Sequence, residues 1–139
     1  MIGAIILKLM AGSGMGEMNR RDVAKVVSHY TDDAVYIYPG NTCVSGRWQG
    51  KKAVQEFFEK YMEQFPKLHF RIKSACVKNI FDPCFCNTVA LEFECAYTNR
   101  HGESFENSGV SVFKIKWGKV TQMQDYYFDV EKLNKAWRQ

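Results

Sequence analysis

The hydrophobic period of this chain changes once, at Pro66, and that change limits the folds open to it. From Lys51 to Phe65 the apolar residues Val54, Phe57, Phe58, Tyr61, Met62 and Phe65 recur three and four positions apart, which puts them on one wide stripe of a helix. After Pro66 the period is two. Leu68, Phe70 and Ile72 alternate with His69, Arg71 and Lys73. Val89, Leu91, Phe93, Cys95 and Tyr97 alternate with Ala90, Glu92, Glu94, Ala96 and Thr98. Such runs are strands with one apolar face. Asn99 to Gly102 has the residues of a turn, Ser104 to Lys116 returns as a long strand, and Trp117-Gly118 is a second, tight turn. A meander of this kind must cover its apolar face, and the cover comes from helices encoded earlier in the chain.

Those helices are legible. Asp22 is a good N-cap for a helix carrying Val23, Val26, Val27 and Tyr30, and Asp32-Asp33 is expected to end it. Ala34 to Tyr38 has the composition of a strand, Pro39-Gly40 breaks it, and a polar loop runs to Gly50. Met1 to Gly16 reads as an amphipathic first helix loosened by Gly12, Gly14 and Gly16, or as a partly flexible leader. The fold class is therefore α+β: a strongly bent antiparallel or mixed sheet with two to three N-terminal helices on its concave face. At 139 residues the chain is read as a single domain, 1–139, with its core at about 19–133.

Composition narrows the partners. Lys and Arg are scattered (Arg20, Arg21, Lys51, Lys52, Lys114, Lys116, Lys119) with no run of five, so no nucleic-acid partner is expected. Five cysteines, an odd number without a regular framework, favour a reducing compartment and a cytoplasmic protein. Cys84-Phe85-Cys86 lacks a second Cys/His pair at zinc spacing, so no metal is expected. The apolar N-terminal stretch lacks a basic region, is interrupted by Lys8 and is too short to span a bilayer, so no membrane contact is expected.

Alternation also proposes a site. It places Met123, Asp125, Tyr127 and Asp129 on one face. On the concave side the walls would be Tyr36, Tyr38, Phe58, Leu91, Phe93, Cys95, Tyr97, Phe113, Met123 and Tyr127. The polar groups among them would be Asn107, Ser111, Asp125 and Asp129. Apolar walls with a few fixed polar atoms are the anatomy of a small-molecule pocket. A carboxyl buried among rings has a raised pKa and works as acid or base near neutrality, which makes Asp125 and Asp129 candidates. Asp129 is equally well placed to cap a short helix from Val130 to Ala136, and Asp125 to pair a lysine across the strands. Tyr36 and Tyr38 are candidate hydrogen-bond donors to a carbonyl or phenolate. His29 is read as a surface or partly buried residue, His69 as pointing outward and His101 as part of the hairpin turn, and Trp48 as a lid or a staple on the long helix.

The order of these segments, with Tyr30-Thr-Asp-Asp-Ala-Val35, Tyr38-Pro-Gly40, Gly46-Arg-Trp-Gln-Gly50 and Gly118-Lys-Val120 followed by Tyr126-Tyr-Phe-Asp129, resembles the SnoaL-like and ketosteroid-isomerase-like branch of the nuclear-transport-factor-two superfamily. The resemblance covers roughly Asn19 to Leu133. It implies a cone-shaped, cystatin-like α+β fold with one deep apolar pocket, commonly a homodimer packed through the outer face of the sheet. It implies fold more than function, since one scaffold hosts many chemistries. Ketosteroid isomerase works with an Asp base and an oxyanion hole of a Tyr and a protonated Asp. In the motif register those positions fall here on Tyr38, Gly14 and Ser111, so that mechanism is not expected. Relatives of the cyclase and epoxide-hydrolase type use an Asp at the end of the last strand, and Tyr127-Phe-Asp129 matches that place. Tyr36 matches the epoxide hydrolases' Tyr, Tyr38 replaces their Asn, and their Arg-x-Asp pair has no visible equivalent. The expected function is a cofactor-independent isomerase, cyclase or lyase moving a proton on an apolar, carbonyl-bearing substrate. The alternative is a non-catalytic ligand-binding or dimeric interaction module of the same fold.

Overall fold

A computed structural model describes residues 2–139, with side chains in the first helix described at positions 3, 5, 9 and from 12 onward. The chain runs α1 (Ile2–Asn19), α2 (Val23–Ser28), β1 (Tyr30–Tyr38), β2 (Gly46–Gln49) and α3 (Lys51–Gln64). It continues through β3 (Lys67–Val77), β4 (Asn87–Thr98), β5 (Ser104–Lys116), β6 (Lys119–Tyr127) and α4 (Val130–Ala136). Met1, part of the expected first helix, lies outside the described residues.

The strands form one sheet in the order β2-β1-β6-β5-β4-β3. All neighbours are antiparallel except β1 and β6, which run parallel, so the sheet is mixed. Alternation holds along β4, where Asn87, Val89, Leu91, Phe93, Cys95 and Tyr97 are buried and the residues between them are not. The sheet bends because its register slips at Ile72/Ser74, at Lys114/Ile115 and between Tyr30 and Val35. Gly109 adds to the bend: a Cβ there would sit 2.2 Å from the Tyr126 carbonyl oxygen.

The helices fill the concave side. Val54, Phe57, Phe58, Tyr61 and Phe65 of the α3 stripe are buried, each contributing roughly 1.5–3 kcal/mol. Asn19 docks α1 on β3 by exchanging two hydrogen bonds with the Phe70 backbone at 2.7 and 2.9 Å. Arg21, at the α1–α2 corner, donates to the carbonyls of Met62 and Phe65 and so satisfies the C-terminus of α3. Asp22 caps α2 by accepting from Lys25 N.

Two local expectations are corrected. Asp32-Asp33 does not end a helix: α2 stops at Ser28, and β1 already begins at Tyr30. Val120 N donates to His29 O at 2.8 Å and Tyr30 pairs with Val120, so sheet pairing draws the segment straight and leaves both aspartates on the surface. Within the polar loop, Gly46–Gln49 forms the edge strand β2 against β1. The first helix runs unbroken through Gly12, Gly14 and Gly16, held at its C-terminal half by buried Met15 and Met18. No helix of the described residues is long and apolar enough to cross a membrane.

Candidate functional site

Between α1, α2, α3 and the concave face lies a cavity with about 80 Å³ open to the centre of a water-sized sphere, several times the ~10–15 Å³ that one water needs on that measure. Its walls are almost wholly apolar. Phe58, Phe93, Phe113, Met123 and Tyr127 line it, as the alternation pattern anticipates. Met15, Met18, Val26 and Tyr61 of the helices also line it, a part of the wall that strand alternation does not indicate. Leu91 and Cys95, expected as walls, are buried in the core and do not reach it.

Asp125 is the carboxyl in this lining, and it is buried. It sits mid-strand on β6, directly across from Ser111 on β5, and its exposure is 4%. Oδ1 accepts a hydrogen bond from Ser111 Oγ at 2.6 Å, and Oδ2 accepts one from Tyr36 Oη. Tyr36 reaches it because β1 runs beside β6 with Tyr36 opposite Met123. Burial pushes the Asp125 carboxyl up to about 6, and the bonds from Ser111 and Tyr36 restrain the rise. The Tyr36 phenol is itself raised well above its usual value, first by burial and then by the Asp125 charge, so it remains a proton donor. A carboxyl with this environment exchanges a proton readily near neutrality.

A second polar pair occupies the rim. His29 caps the end of α2 and lines the cavity with its side chain 32% exposed. Its Nε2 lies 2.8 and 3.1 Å from the two carboxylate oxygens of Glu17, which is buried on α1. A carboxylate-held imidazole is a second group able to move a proton. His29 is partly buried, as the helix pattern expects, but its pairing with Glu17 arises because α1 folds back over α2, a contact that no local pattern announces.

The structure places the remaining candidates elsewhere. Tyr38 lies on the same face as Tyr36, one pleat further along the cone, and its Oη accepts from Trp137 Nε1 at 2.9 Å. Trp137, delivered by α4, packs against Tyr38, Tyr61 and Phe65 and fills that end. Tyr97 is buried in the same aromatic cluster against Phe65, its hydroxyl unpartnered among the described residues. Asn107 bonds the Asp129 backbone, joining β5 to the end of β6. Asp129 is the N-cap of α4, accepting from Lys132 N at 2.9 Å, with its side chain 50% exposed. Of the two readings open for Asp129, its geometry is that of the cap. Trp48 staples the α3 entry, donating to Val44 O at 2.9 Å and packing on Phe57. Among the described residues no group of three or more His, Cys, Asp or Glu is arranged to hold a metal ion.

An open, mixed six-stranded sheet bent around helices, with one buried apolar cavity, defines the nuclear-transport-factor-two-like, cystatin-like α+β class. The chain belongs to the SnoaL-like domain family, whose model matches residues 15–123. Among curated proteins none matches this sequence significantly. Solved structures share the fold. Bal32a, from a soil-derived mobile gene cassette, is similar with a TM-score of 0.83 at 17% identity, covering 98% of this chain and 99% of that one. A nuclear-transport-factor-2-like protein of unknown function from Burkholderia pseudomallei is similar with a TM-score of 0.80 at 15% identity, covering 100% of both chains. A putative isomerase from Bacillus subtilis is similar with a TM-score of 0.69 at 23% identity, covering 90% of this chain and 86% of that one.

Proposed function

We propose that this protein binds a small apolar, carbonyl-bearing molecule in the cavity and moves a proton on it with Asp125 as acid and base, without a cofactor. The reading is carried by one observation: a buried carboxyl in an otherwise apolar cavity, oriented by two hydroxyls, where burial pushes it up to about 6. In the ionised form Asp125 takes a proton from the carbon next to the carbonyl. The C–H electron pair passes into the carbonyl, giving an enolate. Where a double bond extends the enolate, returning the proton to its far carbon completes an isomerisation; attack of the enolate carbon on a second carbonyl, whose oxygen takes the proton back from Asp125, closes a ring; and collapse of the enolate with expulsion of a β-substituent, which leaves with that proton, is a lyase reaction. The structural likeness to a putative isomerase is in keeping with this class. A panel of small cyclic ketones in D2O tests it, with loss of the α-proton signal followed by proton NMR. The wild type should exchange faster than buffer and Asp125→Asn should not. Saturable binding of the ketones with no exchange in either protein would instead favour a non-catalytic binding module.

The proposal extends to a cytoplasmic homodimer packed through the outer face of the sheet. Tyr126 and Phe128, both exposed at the end of β6, supply apolar surface on that side. Sedimentation velocity should give a dimer, reduced to a monomer by Tyr126→Ser with Phe128→Ser.

A further inference from the structure

Three segments far apart in sequence meet at one end of the sheet. The β5–β6 turn touches the β3–β4 loop through Gly118 N, which donates to Phe85 O at 3.1 Å. The start of α1 crosses the same loop in backbone contact, since a Cβ on Gly3 would lie 2.3 Å from the Asp82 carbonyl oxygen. Each segment presents apolar side chains to solvent. Trp117 is 70% exposed at the turn, Phe81 is 68% exposed beside half-exposed Ile80 on the loop, and Ile5 and Leu9 are exposed one turn apart on α1. Trp117 also adopts a positive φ of 51°, a conformation that a bulky residue rarely takes. Neither burial nor backbone preference accounts for an indole there.

Cations frame this surface. Lys78, Lys114 and Lys116 are exposed, and none forms a salt bridge among the described residues. Lys78 and Lys114 border one shallow depression along Asn87 and Thr88, and Lys116 adjoins Trp117. Asp82 is the single acid in segments 2–11, 78–86 and 114–119. It is buried, accepting from Cys86 N and Asn87 Nδ2 at 3.0 Å each.

We propose that this end of the molecule docks peripherally on an anionic lipid bilayer, with Trp117, Phe81 and Ile80 at headgroup depth and the lysines against the lipid charge. Lysine is depleted where proteins meet proteins, whereas tryptophan with flanking lysine marks the boundary of a membrane. The absence of a helix able to cross a bilayer is a separate matter, because peripheral docking needs only a few apolar side chains and attraction to anionic headgroups. The sequence-based expectation of no membrane contact considered only a spanning segment, and the patch is assembled by the fold. Gly118 and Ile115 line the cavity as well, so docking brings an apolar ligand dissolved in the bilayer close to the site.

Vesicle co-sedimentation tests this with phosphatidylcholine alone and with phosphatidylcholine:phosphatidylserine. Tryptophan emission is recorded in parallel, since Trp48 and Trp137 are already packed in the protein and Trp117 is exposed. The wild type should sediment with the anionic vesicles, shift its emission to the blue, and be released by salt. Trp117→Asn, which suits the positive φ, with Phe81→Ser should abolish the blue shift and weaken binding at least tenfold. Lys114→Gln with Lys116→Gln, a surface change that leaves the apolar tips intact, should weaken binding roughly 25-fold, about fivefold per lysine. Failure to sediment with anionic vesicles would overturn the proposal, as would sedimentation unaffected by both double variants. So would conversion of a dimer to a monomer by Trp117→Asn with Phe81→Ser, which would make the patch a contact between copies. None of these outcomes touches the cavity reading, which is measured without vesicles.

Discussion

Asp125→Asn should stabilise the protein at pH 8 and fail to do so near pH 4.5. The carboxyl is raised from 3.8 to about 6 in the fold, so the folded state holds an extra proton between those values. Its contribution to stability is complete below about pH 4 and is lost as pH rises through 6. Two pKa units correspond to about 3 kcal/mol, the cost of keeping this carboxylate buried at neutral pH even with its two hydrogen bonds. The amide does not titrate. Its carbonyl can accept from one of the two hydroxyls and its NH2 can donate to the other, a rearrangement costing about 1 kcal/mol. The expected result is a gain of about 2 kcal/mol at pH 8, or about 6 °C in Tm. At pH 4.5 the gain should vanish or turn into a small loss. Urea unfolding of both proteins at pH 4.5, 6 and 8, followed by circular dichroism, reads the difference directly. A stability difference that does not change with pH would refute the reasoning, because it would mean that Asp125 pays no penalty for its charge.

Other substitutions separate the cavity from its frame. Tyr36→Phe removes one of the two hydrogen bonds that restrain the Asp125 pKa, so the carboxyl should rise by roughly one further unit, visible as an alkaline shift of the ketone-exchange pH profile. Asp129→Ala removes the α4 cap and should cost about 1 kcal/mol in urea unfolding while leaving exchange intact. Tyr38→Phe leaves the Trp137 indole N–H unpartnered and should cost about 1–3 kcal/mol, with the pH profile unmoved. His29→Ala removes the hydrogen-bond partner of the buried Glu17 side chain and should cost about 1–3 kcal/mol, read by thermal melting.

The sheet was legible because alternation is a local property that burial enforces strand by strand. The long helix and the caps at Asp22 and Asp129 were legible for the same reason: each is written in a few neighbouring residues. Faces were therefore largely assigned, and Tyr36, Phe58, Phe93, Ser111, Phe113, Met123, Asp125 and Tyr127 all line the cavity. What alternation cannot give is position along the cone. Tyr38 and Tyr97 share the inward face, yet α4 returns Trp137 into their end and fills it. The Glu17–His29 pair was invisible because it depends on how α1 crosses α2, and the early start of β1 because pairing with β6 overrode the two aspartates. The resemblance pointed to Asp129 as the acid of the last strand. The carboxyl in the cavity is Asp125, inside β6, whereas Asp129 lies beyond the end of the strand and is exposed.

The protonation state of that carboxyl is the quantity on which the functional reading turns. A carbon-13 NMR titration of the Asp125 side-chain carboxyl in the wild-type protein measures it. A midpoint near about 6, moving further up in Tyr36→Phe, would support an acid/base group poised for proton transfer. A midpoint near the ordinary aspartate value of ~4 would leave the cavity without its base and contradict the proposed chemistry.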